Sequence, residues 1–415
     1  MKSLLISSLL LPLATAVALP EREAKVDYTG YKVLRVDVGS DAAVTEEVSQ
    51  IAAHVLNPGS TGAVDVVVAP DSMSALEGLG VSSTVLDEDL GASIAAEGEI
   101  SQALAVPDAS WFTAYHAYAA HLTFLNDLQA SFPANSEIYT AGASVGGRAL
   151  TGIHIWGSGG KGSKPAVVFH GNVHAREWIT SKTTEYIAYT LLTQYASNAA
   201  VKAVVDKFDF YITPVVNPDG FVYSQTTDRL WRKNRQTVSG NSCVGRDINR
   251  NWPYQWSATG GASTNPCSET YKGQAAGDAP ENKGLVAQIQ QLKASNGISL
   301  YIDFHSYGQY ILWAYGYDCS ATAENNAALQ SLATAARSAI AGVSGTSYTI
   351  GKSCSTLYAT TGSSVDYIDA TGNATYSYTY ELRDTGTYGF VLPANQITPT
   401  AVETWAGVLV MLQKA

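Results

Sequence analysis

Several features that would tie this protein to a membrane or a nucleic acid are missing from its 415-residue sequence. After the first residues, no segment reaches the about 20 uninterrupted apolar residues that a membrane-spanning helix needs. The chain has 25 basic against 36 acidic side chains, so it lacks the basic face expected of a nucleic acid partner. There is also no C-x-x-C pair and no internal repeat. A soluble protein without nucleic acid or membrane partners is therefore expected.

Four cysteines are present, and in an exported chain they favour two disulfides over a metal cluster. Three pairings are possible. Sequence proximity favours Cys243 with Cys267 and Cys319 with Cys354. Closing loops of that size contributes roughly 3 to 4 kcal/mol each.

The first 18 residues have the pattern of a secretory signal peptide. Lys2 supplies the positive start, an apolar run follows from Leu4 to Leu13, and small residues around Ala16 and Ala18 offer cleavage sites. The pattern predicts a secreted, extracellular protein whose mature chain lacks residues 1–18.

Residues 19–109 differ in charge from the rest of the chain, with 16 acidic and 4 basic side chains. From Ser110 onward the 20 acidic and 20 basic residues balance. Short β-rich runs at 33–38 and 64–68 alternate with helical patterns at 44–56, 72–79 and 94–104, which predicts a small α+β domain of ferredoxin-like type with an antiparallel sheet. We interpret this segment as an inhibitory or folding prosegment rather than an independent binding domain, with activation cleavage between Leu104 and Ser110.

Residues 110–415 show a different pattern, in which helical segments alternate with nearly continuous apolar strands at 166–169, 210–216, 300–304 and 376–380. Such strands are typical of a mostly parallel or mixed sheet with helices on both faces, and they predict an α/β catalytic domain. Ligands of open α/β sheets bind beyond the carboxyl ends of the strands. His174, Glu177, His305 and Glu381 all follow or end predicted strands.

His174 and Glu177 are three residues apart at the start of a predicted helix, a spacing that lets both side chains face one point. Imidazole nitrogen and carboxylate oxygen are both zinc ligands, but H-x-x-E alone is a weak signal. His305 is the best-placed third ligand; the alternative is a core histidine bonded to backbone. Glu381 can act as a general base towards water, and the alternative is a salt bridge to Arg383.

Two arginine-rich segments, 230–235 and 246–252, are interleaved with tryptophan. Such charges are usually solvated or stacked on aromatic rings. In a domain without net charge, arginines beside a metal cleft indicate recognition of a substrate carboxylate, which a guanidinium binds with two parallel hydrogen bonds.

Seven strings then carry a resemblance that extends from Ser110 to the end: HAREWIT, NPDG, LWRKNR, DINRNW, CSETYKG, FHSYGQ and ELRDTGTYGF. In their order and spacing they resemble the zinc metallocarboxypeptidases of the A/B type, which include pancreatic and fungal secreted enzymes. The resemblance implies an exopeptidase made as a zymogen, one Zn²⁺ per catalytic domain, and a monomer that acts on the C-termini of peptides and proteins. It also implies that the acidic segment inhibits the enzyme until an activating protease removes it.

The resemblance assigns roles residue by residue. It implies zinc on His174, Glu177 and His305, with Glu381 as base and then proton donor and Arg235 as the oxyanion donor. It implies further that Asp247 orients a zinc histidine and that Cys243 pairs with Cys267. The C-terminal carboxylate of a substrate is implied to be held by Asn249, Arg250 and Tyr358. The residues implied to form the outer subsites are Arg176, Arg232, Ser306, Tyr307 and Phe390.

Specificity is expected to depend on Val365, which stands where members that remove Lys or Arg carry an acid. An apolar side chain gains about 1.5 to 3 kcal/mol on burial, whereas a buried ammonium facing valine lacks a partner. Substrates with hydrophobic or aromatic C-terminal residues are therefore predicted.

Two alternatives to a carboxypeptidase are a non-catalytic binder on the same fold and another zinc amidohydrolase. Independently of function, Asn373 begins a sequence motif for N-glycosylation.

Overall fold

The computed structural model describes residues 24–58, 60, 62–98, 100–101 and 108–415. The predicted signal peptide and most of the predicted activation region lie outside these residues. Within the described ranges, no helix is both long enough and apolar enough to cross a membrane.

The N-terminal unit, residues 24–101, contains a four-stranded antiparallel sheet in the order β2-β3-β1-β4. The chain order of its central elements is β-α-β-β-α-β, which is the ferredoxin-like arrangement. The strands are β1 (Lys32–Gly39), β2 (His54–Val55), β3 (Gly62–Val68) and β4 (Ser83–Asp87), and the helices are α1 (Ala42–Ile51), α2 (Met73–Gly78) and α3 (Leu90–Ala96).

Three features of this unit differ from the prediction. The helix expected at 44–56 is α1, which ends at Ile51, and His54–Val55 form the edge strand β2 instead. The helix expected at 94–104 is instead α3, which begins at Leu90 because the Asp89 carboxylate accepts from Ala92 N at 3.2 Å. The edge strand β4 was not predicted, since its side chains are mostly exposed and lack an apolar run. Residues 102–104 lie outside the described part of the chain.

The unit predicted to be the catalytic domain begins near Ser110 and is built on one eight-stranded sheet. Its strands are β5 (Ser136–Ala143), β6 (Ala149–Ile155), β7 (Ala166–His170), β8 (Asp209–Thr213), β9 (Ile298–His305), β10 (Tyr310–Trp313), β11 (Thr349–Lys352) and β12 (Tyr376–Glu381). Its helices are α4 (Tyr118–Ser131), α5 (Trp178–Thr193), α6 (Ala199–Lys207), α7 (Pro218–Thr226), α8 (Pro280–Ala294), α9 (Asn326–Ser344), α10 (Ser353–Thr356), α11 (Ser364–Ala370) and α12 (Ile397–Lys414).

The sheet is mixed, and both of its faces are covered. The strand order is β11-β10-β12-β9-β7-β8-β6-β5, with the central strands β12, β9, β7 and β8 parallel. Alternate residues of β7 enter different hydrophobic clusters: Phe169 packs on one face and Val168 on the other. This confirms the predicted α/β class, because strands buried on both faces need apolar side chains at every position.

The parallel pairing of β7, β9 and β12 brings their carboxyl ends to one edge of the sheet. His305 and Glu381 are direct partners in the register of β9 and β12. Two disulfides, Cys243–Cys267 and Cys319–Cys354, lie in this domain with Cα separations of 5.1 and 4.7 Å, which confirms the pairing favoured by proximity; Cys354 belongs to α10 and the other three cysteines to loops. The site thus forms where strands of distant sequence end together.

Candidate metal centre and peptide cleft

Three predicted metal ligands converge at the carboxyl edge of the sheet. His174 and Glu177 lie between the end of β7 and the start of α5, and His305 is the last residue of β9. The Nδ1 atoms of the two histidines are 3.0 Å apart, and Glu177 places one oxygen 2.8 Å from His174 Nδ1 and the other 3.0 Å from His305 Nδ1. All three donor groups lie within 4.8 Å of one another. The structure therefore brings together the set proposed from the sequence.

This donor set fits a zinc ion. Two imidazole nitrogens and one carboxylate leave a fourth tetrahedral position open, as in catalytic zinc sites. Burial alone would raise the pKa of Glu177, but the charges of His174 and His305 outweigh it and hold the pKa well below its usual range. The carboxylate is therefore ionised and available as a ligand.

Each histidine also faces a buried carboxylate on its other ring nitrogen. His174 Nε2 lies 3.1 Å from Asp247 Oδ1, as the resemblance implied. His305 Nε2 lies 3.1 Å from Asp303 Oδ2, a contact that the sequence analysis missed. The signal was available, because residues two apart on a strand point to the same face.

Glu381 is the last residue of β12 and lines the cleft beside the three ligands. Burial raises its pKa to about 8. His305 and Arg232 oppose this shift, and Glu177 adds to it. We call His174, Glu177, His305 and Glu381 the metal corner.

The cleft continues past the metal corner to residues suited to a carboxylate. Asn249 and Arg250 follow Asp247 in a short 3₁₀ turn, and Tyr358 faces them from the loop after α10. Arg250 is 2% exposed, and its Nε and Nη1 atoms donate to backbone carbonyls at 2.6 and 3.0 Å. These bonds fix the guanidinium in place, as a binding group requires.

The two arginines of the LWRKNR segment occupy different surroundings. Arg232 lines the cleft and donates to Asp247 Oδ2 through Nη2 at 2.8 Å. Arg235 is not among the cleft-lining residues; its guanidinium stacks over the rings of Tyr223 and Trp231 at 3.5 and 4.4 Å. The predicted oxyanion role of Arg235 does not fit this placement, because its guanidinium packs on two aromatic rings and is not among the side chains that line the cleft. Arg232 is the arginine that meets the metal corner.

The predicted outer subsite residues are largely gathered at the mouth of the cleft. Ser306, Tyr307 and Phe390 line it, and the Tyr307 and Phe390 rings are 4.9 Å apart. Arg176 is fully buried behind them, with its guanidinium 4.2 Å from the Phe390 ring. It supports the cleft wall rather than lining it.

Val365 is 2% exposed and lines the same cleft. The lining side chains that the sequence analysis did not assign are Leu312, Ser353, Leu357, Thr360, Ser363 and Thr379, and we call these together with Val365 the lobe. Among the described lining residues of the whole cleft, the acidic ones are Glu177 and Glu381 of the metal corner. The lobe itself thus offers apolar and hydroxyl groups.

The N-terminal unit covers this cleft. Leu56 and Asn57 are among its lining residues, and the carbonyl oxygen of Leu56 accepts from Arg176 Nη2 at 3.2 Å. Asp65 accepts from the Tyr307 hydroxyl at 2.8 Å. We call Leu56, Asn57 and Asp65 the cover residues.

A second contact between the two units lies further from the metal corner. Arg229 donates through Nε and Nη2 to the two carboxylate oxygens of Glu97 at 2.7 and 2.6 Å, and both side chains are 2% exposed. The Arg229 guanidinium also stacks on Trp178 at 3.7 Å. This buried pair joins the end of the N-terminal unit to the catalytic domain.

Two histidines and a glutamate around one open metal position are typical of zinc hydrolases, and the fold and site together define that class. Comparison with known proteins is more specific. Residues 121–407 match the zinc carboxypeptidase family, and the chain belongs to that family.

Similar proteins agree with this assignment. The chain is 47% identical to the probable metallocarboxypeptidase A of Arthroderma benhamiae over 94% of both chains, and 37% identical to carboxypeptidase A4 of Mus musculus over 84% of this chain and 83% of that one. Among solved structures, carboxypeptidase A of Helicoverpa armigera has a TM-score of 0.81 at 29% identity and covers 93% of this chain and 97% of its own. Thrombin activatable fibrinolysis inhibitor has a TM-score of 0.85 at 28% identity over 92% and 98%. The protein is a metallocarboxypeptidase, a hydrolase that acts on peptide bonds.

Proposed function

We propose that this protein is an exported zymogen that, once its N-terminal unit is removed, releases hydrophobic and aromatic residues one at a time from peptide C-termini. The observation that carries the proposal is the arrangement of one cleft. The metal corner, a carboxylate-binding wall formed by Asn249, Arg250 and Tyr358, and the lobe around Val365 all line this cleft, so a substrate whose terminal carboxylate is bound by the wall would present its last peptide bond to the metal corner.

Recognition of the chain end depends on Asn249, Arg250 and Tyr358. An arginine held in place by its own backbone bonds can bind a terminal carboxylate through two parallel hydrogen bonds. An aminopeptidase or deacylase would have no need of such a group. This feature favours a carboxypeptidase over the other zinc amidohydrolases.

Selection among C-terminal residues depends on the lobe around Val365. Burying an apolar side chain there contributes about 1.5 to 3 kcal/mol, whereas a lysine or arginine side chain would find no described acidic partner in the lobe. The hydroxyl groups of Thr360 and Ser363 line the same lobe and reduce the space left for a substrate side chain. We therefore expect leucine and phenylalanine ends to be cleaved far faster than lysine ends.

The chemical step uses Glu381 and Arg232. Zinc held by His174, Glu177 and His305 would polarise the scissile carbonyl and lower the pKa of water to about 7. Glu381 accepts the proton of that water and later donates it to the leaving amine. Arg232 donates to the developing oxyanion, and its bond to Asp247 keeps it oriented.

The N-terminal unit acts as an inhibitory prosegment in this proposal. Leu56 and Asn57 lie where a substrate would enter, and Asp65 engages the Tyr307 hydroxyl. The unit is joined to the catalytic domain through a segment that includes the predicted cleavage region between Leu104 and Ser110. Cleavage by another protease would allow it to leave and open the cleft.

Export, glycosylation and a monomeric state complete the proposal. Residues 1–18 carry the signal pattern and lie outside the described residues. Asn373 is exposed in the turn between α11 and β12, so its sequon is accessible to glycosylation. Sedimentation of the purified protein tests the monomeric state, and mass spectrometry of the secreted chain tests the other two.

The deciding experiment is mass spectrometry of synthetic peptides after incubation with the proteolytically activated protein. A peptide ending in leucine should lose one residue at a time from its C-terminus, and the same peptide with a C-terminal amide should lose residues far more slowly because the carboxylate is absent. The Glu381→Gln variant controls for contaminating peptidases. Internal or N-terminal cuts would contradict the proposal.

A further inference from the structure

The two zinc-binding histidines share a feature that only one of them was expected to have. The outer ring nitrogen of His174 faces Asp247, and the outer ring nitrogen of His305 faces Asp303, both at 3.1 Å. Both aspartates are fully buried. The metal corner is thus enclosed by two parallel carboxylate–histidine pairs.

The position of the ring proton of His305 follows from the role of this residue as a metal ligand. If Nδ1 offers its lone pair to a metal, Nε2 carries the ring proton and must donate it. Asp303 Oδ2 lies 3.1 Å from Nε2 and is the carboxylate oxygen within reach of that proton, whereas the nearby Asn249 Nδ2, at 3.4 Å, is itself a donor. Asp303 is therefore the partner that fixes the ligand tautomer of His305.

Asp303 is itself held from two sides. It lies on β9 two residues before His305, so both side chains leave the strand on the same face. The Ser364 hydroxyl donates to the same Asp303 oxygen at 2.5 Å, and the backbone nitrogen of Ser364 donates to Asn249 Oδ1 at 2.8 Å. The start of α11 therefore orients the carboxylate, the imidazole and the neighbouring amide together.

We propose that Asp303 is a positioning residue for the metal site, which holds the His305 ring in its ligand tautomer and increases the affinity of the site for zinc. The inference rests on the zinc site of the proposed function. It assigns to His305 the kind of support that Asp247 gives to His174. Outer carboxylates of this kind typically change metal affinity by about 10- to 100-fold.

The charge of the site agrees with such a role. Three acidic side chains contact the two imidazoles: Glu177 contacts both rings, Asp247 contacts His174, and Asp303 contacts His305. Of these three carboxylates, Arg232 donates only to Asp247. Buried carboxylates are costly unless a cation or hydrogen bonds compensate them. A divalent ion at the shared Nδ1 side would compensate this group through both histidines.

The test is the zinc affinity of the Asp303→Asn variant in the full chain. Competition with a chromophoric chelator should show about 10- to 100-fold weaker zinc binding than in the wild type, and Asp247→Asn should show a loss of similar size. Glu185→Gln is the matched control. Glu185 is a fully buried carboxylate whose oxygen lies 2.6 Å from His121 Nδ1, and neither residue is part of the metal corner. The zinc affinity of this control should stay at the wild-type value.

Thermal unfolding with and without zinc separates positioning from a purely structural role. Asp303→Asn should reduce the rise in melting temperature that zinc produces, with a smaller change in the metal-free protein, because a ligand stabilises the fold according to its affinity. Equal losses in both forms, or a zinc affinity within about two-fold of the wild type, would overturn the proposal.

A second variant decides the matter if Asp303→Asn does not fold. Ser364→Ala keeps the carboxylate and the imidazole but removes the hydrogen bond that orients Asp303. It should weaken zinc binding measurably, and unchanged binding in this variant would overturn the inference. Zinc affinity is independent of substrate, so a wild-type protein that binds zinc but fails to shorten peptides would contradict the proposed function alone.

Discussion

The metal corner and two of the cover residues, Leu56 and Asn57, line the same cleft, yet the corner and the cover are held in different ways. At the metal corner, His174 and His305 have further partners inside the catalytic domain, Asp247 and Asp303. The cover residues instead contact Tyr307, which lines the cleft, and Arg176, which supports its wall. The three candidate ligands all belong to the catalytic domain, so the corner should remain complete if the N-terminal unit is removed, and the proposed prosegment role requires that the cover be separable.

Removal of the metal has the largest expected effect on this comparison. Treatment of the activated protein with a strong zinc chelator should reduce peptide cleavage by more than the about 10²- to 10⁴-fold that a general base alone supplies. Added zinc should restore the rate. In the full chain the cover should stay closed, because the described hydrogen bonds from the cover residues to the catalytic domain go to Arg176 and Tyr307, neither of which is a metal ligand. Limited proteolysis of the metal-free full chain checks this, and rapid loss of the N-terminal unit there would show that corner and cover depend on each other.

Glu381→Gln should have the next largest effect. The amide keeps the shape of the side chain but accepts no proton from water, so kcat should fall about 10²- to 10⁴-fold while zinc affinity is retained. A wild-type rate with the variant would remove Glu381 from the mechanism.

The pH dependence of the wild type sharpens the same assignment. Burial raises the pKa of Glu381 to about 8, and the base form exists above the pKa, so the rate should rise with pH on the acidic limb. A zinc ion beside the carboxylate favours its charged form and should move this limb below pH 8. A pH–rate profile measured with zinc in excess checks that the rate rises with pH on this limb. A rate that falls as the pH is raised towards 8 would contradict the assignment.

Arg232 and Arg235 provide a matched pair only three residues apart. Arg232→Ala should lower kcat by about 10²- to 10³-fold, the usual cost of losing an oxyanion donor. Arg235→Ala should instead lower thermal stability, because it removes the cation stacked on Tyr223 and Trp231. Steady-state kinetics and thermal melts of both variants decide between them. A larger loss of kcat in Arg235→Ala would restore the assignment made from the sequence.

The Glu97→Gln substitution weakens the cover without touching the corner. Breaking one partner of a buried ion pair costs about 3 to 5 kcal/mol, because it leaves Arg229 without its counter-charge. Part of that cost should appear as a more open full chain, with roughly 10-fold or greater residual activity before activation. After cleavage the variant and the wild type share the same catalytic domain, so their rates must agree. An unchanged residual activity would show that this pair does not hold the cover closed.

Arg232 and Arg235 also show which features of the site could be predicted from the sequence and which could not. Four of the strands and the placement of His174, Glu177, His305 and Glu381 at strand ends were predicted, because apolar runs and residue types can be read directly from the sequence. The direction of a side chain in a loop is not visible, and it separates Arg232 from Arg235. The cover was predicted only as a segment, since Leu56 and Asp65 reach the cleft through long-range packing. Asp303 was overlooked although its spacing from His305 on a strand was readable.

Val365 lies in a wall that belongs to neither the corner nor the cover, and its substitution should have the smallest effect on chemistry. Val365→Asp places a buried carboxylate in the lobe, which disfavours an apolar side chain and gives a lysine side chain a partner. The burial energy at stake is about 1.5 to 3 kcal/mol, so the ratio of kcat/KM for leucine-ending over lysine-ending peptides should fall by at least about tenfold. Zinc affinity and the effect of Glu381→Gln should not change, because Val365 is neither one of the described metal ligands nor one of the side chains that contact their outer ring nitrogens. An unchanged ratio would mean that the lobe around Val365 does not hold the C-terminal side chain.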